Sequence, residues 1–219
     1  MKHVGNDIVD LASPFTQGKS KDRRFINKIL SLSEQSVLKW DYFTDHHLWA
    51  YWAAKESAFK VVSKIHADIS SSPKKYDVCF DDQEVAHDQW SQKSVLTAMV
   101  KTPVQWVNVR LYIHKKWIHC IASSHSIDNI PIIFYEVHRI DHLFKFNYSH
   151  ASKEESGYVR KKAGLKISEQ LSIYPELVIF SKNKGKQTFP EVYVGENKTN
   201  IDISFSHDGR FVAYAFSLN

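Results

Sequence analysis

Glycine is scarce in this chain: seven among 219 residues. The glycine-rich phosphate loops G-x-G-x-x-G and G-x-x-x-x-G-K-[ST] place several glycines in one turn, and neither pattern occurs. Cysteine is scarcer still. Cys79 and Cys120 cannot build a disulfide framework or a cysteine zinc site. Each is expected to serve as a small apolar filler, and so few thiols fit a reducing, cytoplasmic setting. Long hydrophobic runs are missing too. Asp7 and Asp10 sit where a signal core would have to lie. The most apolar stretch, Ile130-Pro131-Ile132-Ile133-Phe134-Tyr135, has the length of a strand rather than a membrane span.

What the chain does contain is a packed, basic protein. Apolar residues reach 43%, aromatics 13% and charged residues 24%, with a net charge of +5. The charge fits a polyanionic partner. Basic residues are scattered rather than gathered in a stripe, and no recognition motif accompanies them, so no nucleic acid is expected.

Periodicity divides the chain into two similar stretches. Val4 to Leu11 reads as a strand ending in acids. Asp22 to Trp40 has helical spacing with a break near Ser31–Ser33. His46 to Lys64 is a stronger helix, with Trp49, Trp52, Ala53, Ser57 and Val61 three or four apart. Strands follow at Tyr76 to Phe80, Val95 to Val100, Val104 to Tyr112 and Trp117 to Ser123. The pattern then restarts: a strand at Ile132 to Val137, a helix at Glu154 to Ile173, and strands near Leu177, Tyr193, Ile201 to Phe205 and Arg210 to Leu218. Lys116 to Ser123 matches Arg210 to Ser217 in kind: a cation, an aromatic, then a mostly apolar strand ending in serine. The expected fold class is α+β, with two similar halves, 1–128 and 129–219, each a helix packed on a small antiparallel sheet.

Three clusters carry candidate chemistry. In Gly5-Asn6-Asp7-Ile8-Val9-Asp10 an acid lies inside an apolar strand, which is costly unless it is paired, metal-bound or solvated at an edge. In Trp52 to Lys60, residues Trp52, Glu56 and Lys60 stand four apart on one helix face; a surface ion pair has the same spacing. Ser204-Phe205-Ser206-His207-Asp208-Gly209-Arg210 reads as a hairpin with an Asp-Gly turn. Ser206 and His207 are adjacent in a strand and so point to opposite faces, which argues against a nucleophile pair.

Together these clusters resemble the 4′-phosphopantetheinyl transferase superfamily, whose pattern is G-x-D-I, then W-x-x-K-E-[SA]-x-x-K, with an S-x-S-H turn. The second motif matches residue for residue. The larger members place the S-x-S-H half first; here it comes second, so the chain resembles a pseudo-dimer with its halves exchanged. The alternative is an enlarged relative of the small, trimeric holo-acyl-carrier-protein synthases, which begin with Asp-Ile-Val as here. Gly185-Lys186-Gln187 stands where a Gly-Lys-Pro usually occurs.

The resemblance implies an enzyme that moves phosphopantetheine from coenzyme A to a serine of a carrier protein, with Mg²⁺ held by Asp7 and Glu56. Val9 stands where larger members carry a second acid, which leaves water or Asp10 to fill that place. Lys60 would stabilise charge on the leaving phosphate. Glu34 resembles the proposed general base, although Ser31 to Glu34 also reads as a helix-capping box. Ser206, His207, Lys186 and a basic residue of the second helix, Arg160 first among them, would bind the nucleotide end. A non-catalytic member that binds coenzyme A or a carrier is the alternative reading.

Overall fold

The structure is a computed structural model that describes residues 3–80, 94–125, 133–140, 151–182 and 188–218. Its first half runs β1 (Val4–Asp10), α1 (Arg23–Ile29), α2 (Leu32–Val37), α3 (Asp45–Val62), β2 (Asp77–Phe80), β3 (Ser94–Lys101), β4 (Trp106–His114) and β5 (Trp117–Ser123). The strands form one antiparallel sheet in the order β1-β5-β4-β3-β2. The second half runs β6 (Ile133–Arg139), α4 (Ala151–Leu171), β7 (Val178–Lys182), β8 (Pro190–Val194), β9 (Asn197–Lys198), β10 (Asp202–Asp208) and β11 (Phe211–Ser217). Its strands divide between two sheets, β10-β11-β6 and β7-β8-β9. The molecule is α+β, as its sequence pattern requires.

Local chemistry sets the helix boundaries. The Asp22 carboxylate accepts the N–H groups of Arg24 and Phe25 and starts α1. Ser31 and Glu34 form a capping box that starts α2, so the expected break in the 22–40 stretch falls at Leu30–Ser31. α3 buries Ala50, Ala53, Ala54, Ser57 and Ala58. These small residues let the sheet come close, and the closest approach is at Gly5. A Cβ there would collide with the Ser57 carbonyl oxygen and meet the Lys60 Cβ at 3.2 Å.

The internal repeat is visible in strand register. Val4 to Asp10 stand opposite Ser123 to Trp117, and Ile133 to Arg139 stand opposite Ser217 to Phe211. Both ladders end on the same bond: Leu11 N–H to Lys116 O at 2.9 Å, and Ile140 N–H to Arg210 O at 2.8 Å. In each half the first strand pairs with the last, and the last forms a hairpin with the strand before it. The expected boundary between 128 and 129 lies outside the described residues.

One filler assignment needs correction. Cys120 is buried, but Cys79 is exposed, because it lies on β2 at the edge of the sheet with its side chain turned outward. No helix among the described residues is long and apolar enough to cross a membrane.

The Gly5 contact yields a test. Gly5→Ala is expected to destabilise the protein by about 1–3 kcal/mol, because the added methyl meets backbone rather than a movable side chain. Urea unfolding with an unchanged midpoint would show that α3 does not need this close approach.

Candidate active site

β1 presents different residues to its two sides, as strand alternation requires. Gly5, Asp7 and Val9 face α3. Asn6, Ile8 and Asp10 face the second half. On the α3 side, Asp7 Oδ1 lies 2.9 Å from Lys60 Nζ, which also donates to the Asn6 main-chain oxygen at 2.7 Å. The third Lys60 N–H has no partner among the described residues. Glu56 stands one turn earlier on the same face of α3.

The electrostatics of this group are unbalanced. Burial pushes the Asp7 carboxyl up, and the positive charge of Lys60 and the nearby His207 oppose that rise. The Glu56 carboxyl is pushed up to about 7, first by burial and then by the Asp7 charge, with Lys60 opposing. Two carboxylates thus share one lysine. That donor set fits a hard divalent cation: Mg²⁺ takes one or two carboxylates and completes its shell with water and substrate phosphate. No group of three or more His, Cys, Asp or Glu side chains among the described residues could hold a metal, so a closed cage is not built here.

A model of the 4′-phosphopantetheinyl transferase superfamily matches residues 3–122. The chain belongs to this superfamily. No curated protein and no solved structure matches it. The family match spans the half that holds Asp7, Glu56 and Lys60; the residues expected to bind the nucleotide end lie beyond it.

Two neighbours of the superfamily motif find structural partners. Val9 shares the face of Asp7 but is buried in the core of the first half. Asp10 faces the other way and is held by Arg210: Nε to Oδ2 at 2.8 Å, Nη2 to Oδ1 at 2.6 Å, with the Arg210 and Ala12 N–H groups at 3.0 Å. Despite burial, these donors hold its carboxyl below the usual range. Gly209 makes this approach possible, since its φ is +52° and a Cβ would lie 2.6 Å from Asp10 Oδ2.

Glu34 lies buried beneath α3, away from solvent. Its Oε2 receives Lys55 Nζ at 2.5 Å and the Ser31 N–H at 2.8 Å, and its Oε1 receives the Val78 N–H at 2.8 Å. Burial pushes this carboxyl up, opposed chiefly by Lys55. Lys55 also donates to the Ile29 carbonyl. The lysine of the W-x-x-K-E motif therefore ties α3 to α1, α2 and β2.

In the second half, Ser206 and His207 point apart. The buried Ser206 hydroxyl donates to Asn6 Oδ1 at 2.6 Å. His207 is exposed on the α4 side, with Nδ1 3.0 Å from Glu155 Oε2. Arg160 donates from Nε to Ser156 and lies over the Phe205 and Phe180 rings at 5.2 and 5.9 Å. The structure therefore brings Arg160 and His207 to one side of β10. Lys186 lies outside the described residues.

Sequence reasoning missed the polar seam between the halves. Val4 N–H donates to Asp202 Oδ2 at 2.6 Å, and Asp10 N–H to Asp208 Oδ2 at 2.7 Å. Lys64 bridges the Val4 and Ile203 carbonyls and Asp202. His119 Nε2 lies 3.3 Å from Asn6 Oδ1, and burial pushes its imidazole down to about 3, so it is neutral. The available signal was the alternation of polar residues at 202, 204, 206 and 208, opposite β1.

The raised Glu56 carboxyl has a signed consequence. A carboxyl whose pKa is higher folded than unfolded costs stability once it must ionise. In metal-free protein the loss develops as pH rises from 4.5 to about 7 and is complete above that. Glu56→Gln is expected to remove it, making the variant more stable than the parent by up to about 3 kcal/mol near about pH 8. Mg²⁺ should then stabilise the parent but not the variant. Thermal melts with parallel pH profiles for the two proteins would refute the assignment.

Proposed function

We propose that the chain is a Mg²⁺-dependent 4′-phosphopantetheinyl transferase of the holo-acyl-carrier-protein synthase type, acting on an apo carrier protein in the cytoplasm. The observation that carries this reading is the Asp7–Glu56 pair sharing Lys60 on the matched half of the chain. Coenzyme A supplies the polyanion that the basic chain calls for.

The chemistry follows from the side chains. The carrier serine oxygen bonds to the phosphorus next to pantetheine, and the bond from that phosphorus to the bridging oxygen breaks. Adenosine 3′,5′-bisphosphate leaves with the electron pair. The enzyme's work in such a transfer is positioning and charge stabilisation. Asp7 and Glu56 would hold Mg²⁺, which supplies neutralising charge to the diphosphate. Lys60 turns its remaining N–H to the phosphate oxygen that gains charge. On the other side of β10, His207 and Arg160 would bind the nucleotide end, with Lys186 assigned to the 3′-phosphate by its motif.

The serine proton has two candidate acceptors, Glu34 and a water at the site. Glu56 borders Lys60 but is committed to the metal, whose charge would favour the ionised carboxylate over the raised state of the metal-free protein. Glu34, the base suggested by family resemblance, has both oxygens engaged by Lys55 and main-chain N–H groups. Those contacts favour a role in which Glu34 holds α3 in place and a water takes the proton.

Intact mass spectrometry of an apo acyl carrier protein incubated with coenzyme A, Mg²⁺ and the enzyme should register a gain of one phosphopantetheine. Asp7→Ala should abolish it, and Lys60→Ala should slow it by about 10²–10³-fold. Failure to modify a panel of fatty-acid, polyketide and peptide-synthetase carriers would instead favour a family member that binds without turnover. Glu34→Gln separates its two roles. Leaving Lys55 buried with a neutral partner should cost about 3–5 kcal/mol, whereas a base alone would lose turnover with an unchanged melting curve.

A further inference from the structure

Asn6 is wholly buried, and each of its polar groups is used. Its main-chain N–H donates to Ser204 Oγ at 3.0 Å, and its side-chain amide donates to the Ser204 carbonyl at 2.6 Å. That second bond fixes which end of the amide is oxygen. The oxygen accepts from Ser206 Oγ at 2.6 Å and from His119 Nε2 at 3.3 Å. The main-chain carbonyl accepts Lys60 Nζ at 2.7 Å. One residue thus meets β10 at two alternate positions, meets β5, and anchors the lysine of the proposed site.

Such an amide demands geometry that an apolar residue would not. A buried polar group is costly unless its partners are placed correctly. Ser204 and Ser206 share one face of β10, and sliding that strand along β1 in either direction breaks one set of bonds. Sliding it by one residue would also exchange its two faces and turn His207 away from α4. Ser206 is bonded to Asn6, the residue before Asp7, so the position of β10 along β1 sets where the next residue, His207, stands relative to Asp7.

We propose that Asn6 is a positioning residue: it fixes β10 along β1, so that His207 from one half and Asp7 with Lys60 from the other meet a single diphosphate. Asn6 makes no contact with the substrate itself. The assignment of that diphosphate rests on the transferase reading; the positioning does not.

The first arm of the test needs no substrate. Side-chain NMR signals of His207 and Lys60 are compared in ligand-free wild-type protein, Asn6→Ala and Ser206→Ala. Both signals should move in each variant, more in Asn6→Ala, while that of His46 at the opposite end of α3 stays. Ser206→Ala removes a single hydroxyl and serves if Asn6→Ala does not fold. Unmoved His207 and Lys60 signals in a folded variant overturn the proposal, whether or not the chain is a transferase. The second arm is a double-mutant cycle on transfer from coenzyme A to an apo acyl carrier protein. Asn6→Ala should lower kcat/KM by about tenfold or more in the parent, but by less than about threefold in a His207→Ala background. Equal losses in both backgrounds would show that Asn6 only stabilises the fold, and would overturn the proposal. An inactive parent would refute the transferase reading and leave the spectroscopic arm to decide.

Discussion

β1 is an edge strand, and an edge strand carries a row of N–H and C=O groups that its own sheet does not pair. Burying such a row without partners would cost far more than a small protein's net stability. Here the edge is covered by side chains rather than by another strand. Asp202, Ser204 and Asp208 of β10 accept the N–H groups of Val4, Asn6 and Asp10. Lys60 of α3 and Lys64, in the turn just past its end, donate to the carbonyls of Asn6 and Val4. The docking of the two halves, the polar alternation of β10 and the lysines at the end of α3 all answer this one requirement.

That arrangement explains why structural and chemical roles fall on neighbouring residues. Lys64 is used entirely on the seam, reaching Asp202 and two carbonyls. Lys60, one turn earlier, places two of its donors on β1 and keeps a third. Asp7 lies between the covered edge and the helix, where desolvation raises its carboxyl while a single lysine balances it. The same burial that closes the seam creates the charge imbalance beside it. On the proposed reading the site accepts both a cation and a polyanion, and it gains from side chains already desolvated and fixed in place.

Much of this was legible in the amino-acid pattern. Helical spacing and strand alternation located the elements, and the likeness of Lys116 to Ser123 and Arg210 to Ser217 pointed to a repeat, although not to the register in which each strand pairs. Asp7, Glu56 and Lys60 could be grouped from their motifs. Asn6 could not, because its importance comes from Ser204 and Ser206, some two hundred residues away. Glu34 was ambiguous for a different reason. A capping glutamate and a catalytic one have the same spacing from Ser31, and only Lys55 and Val78, brought up from other elements, show how its oxygens are used.

The repeat also explains why one half carries the acid pair and the other does not. Glu136 occupies in β6 the register position that Asp7 occupies in β1. The helix of that half, α4, contributes the pair Lys166–Glu169, joined at 2.9 Å. His138, at the position equivalent to Val9, binds Glu136 at 2.9 Å. Across the seam, the position of Asn6 is taken by Tyr135, whose ring lies 4.9 Å from that of Tyr112 on β4. On the other side of β6 Glu136 is paired with His138, whose imidazole burial holds below its usual range. On the proposed reading, a divalent cation gains more from Asp7 and Glu56, whose charges oppose each other, than from a carboxylate paired with a histidine. The duplicated architecture therefore supplies two strands in one register, and the side chains they carry make the halves chemically unequal.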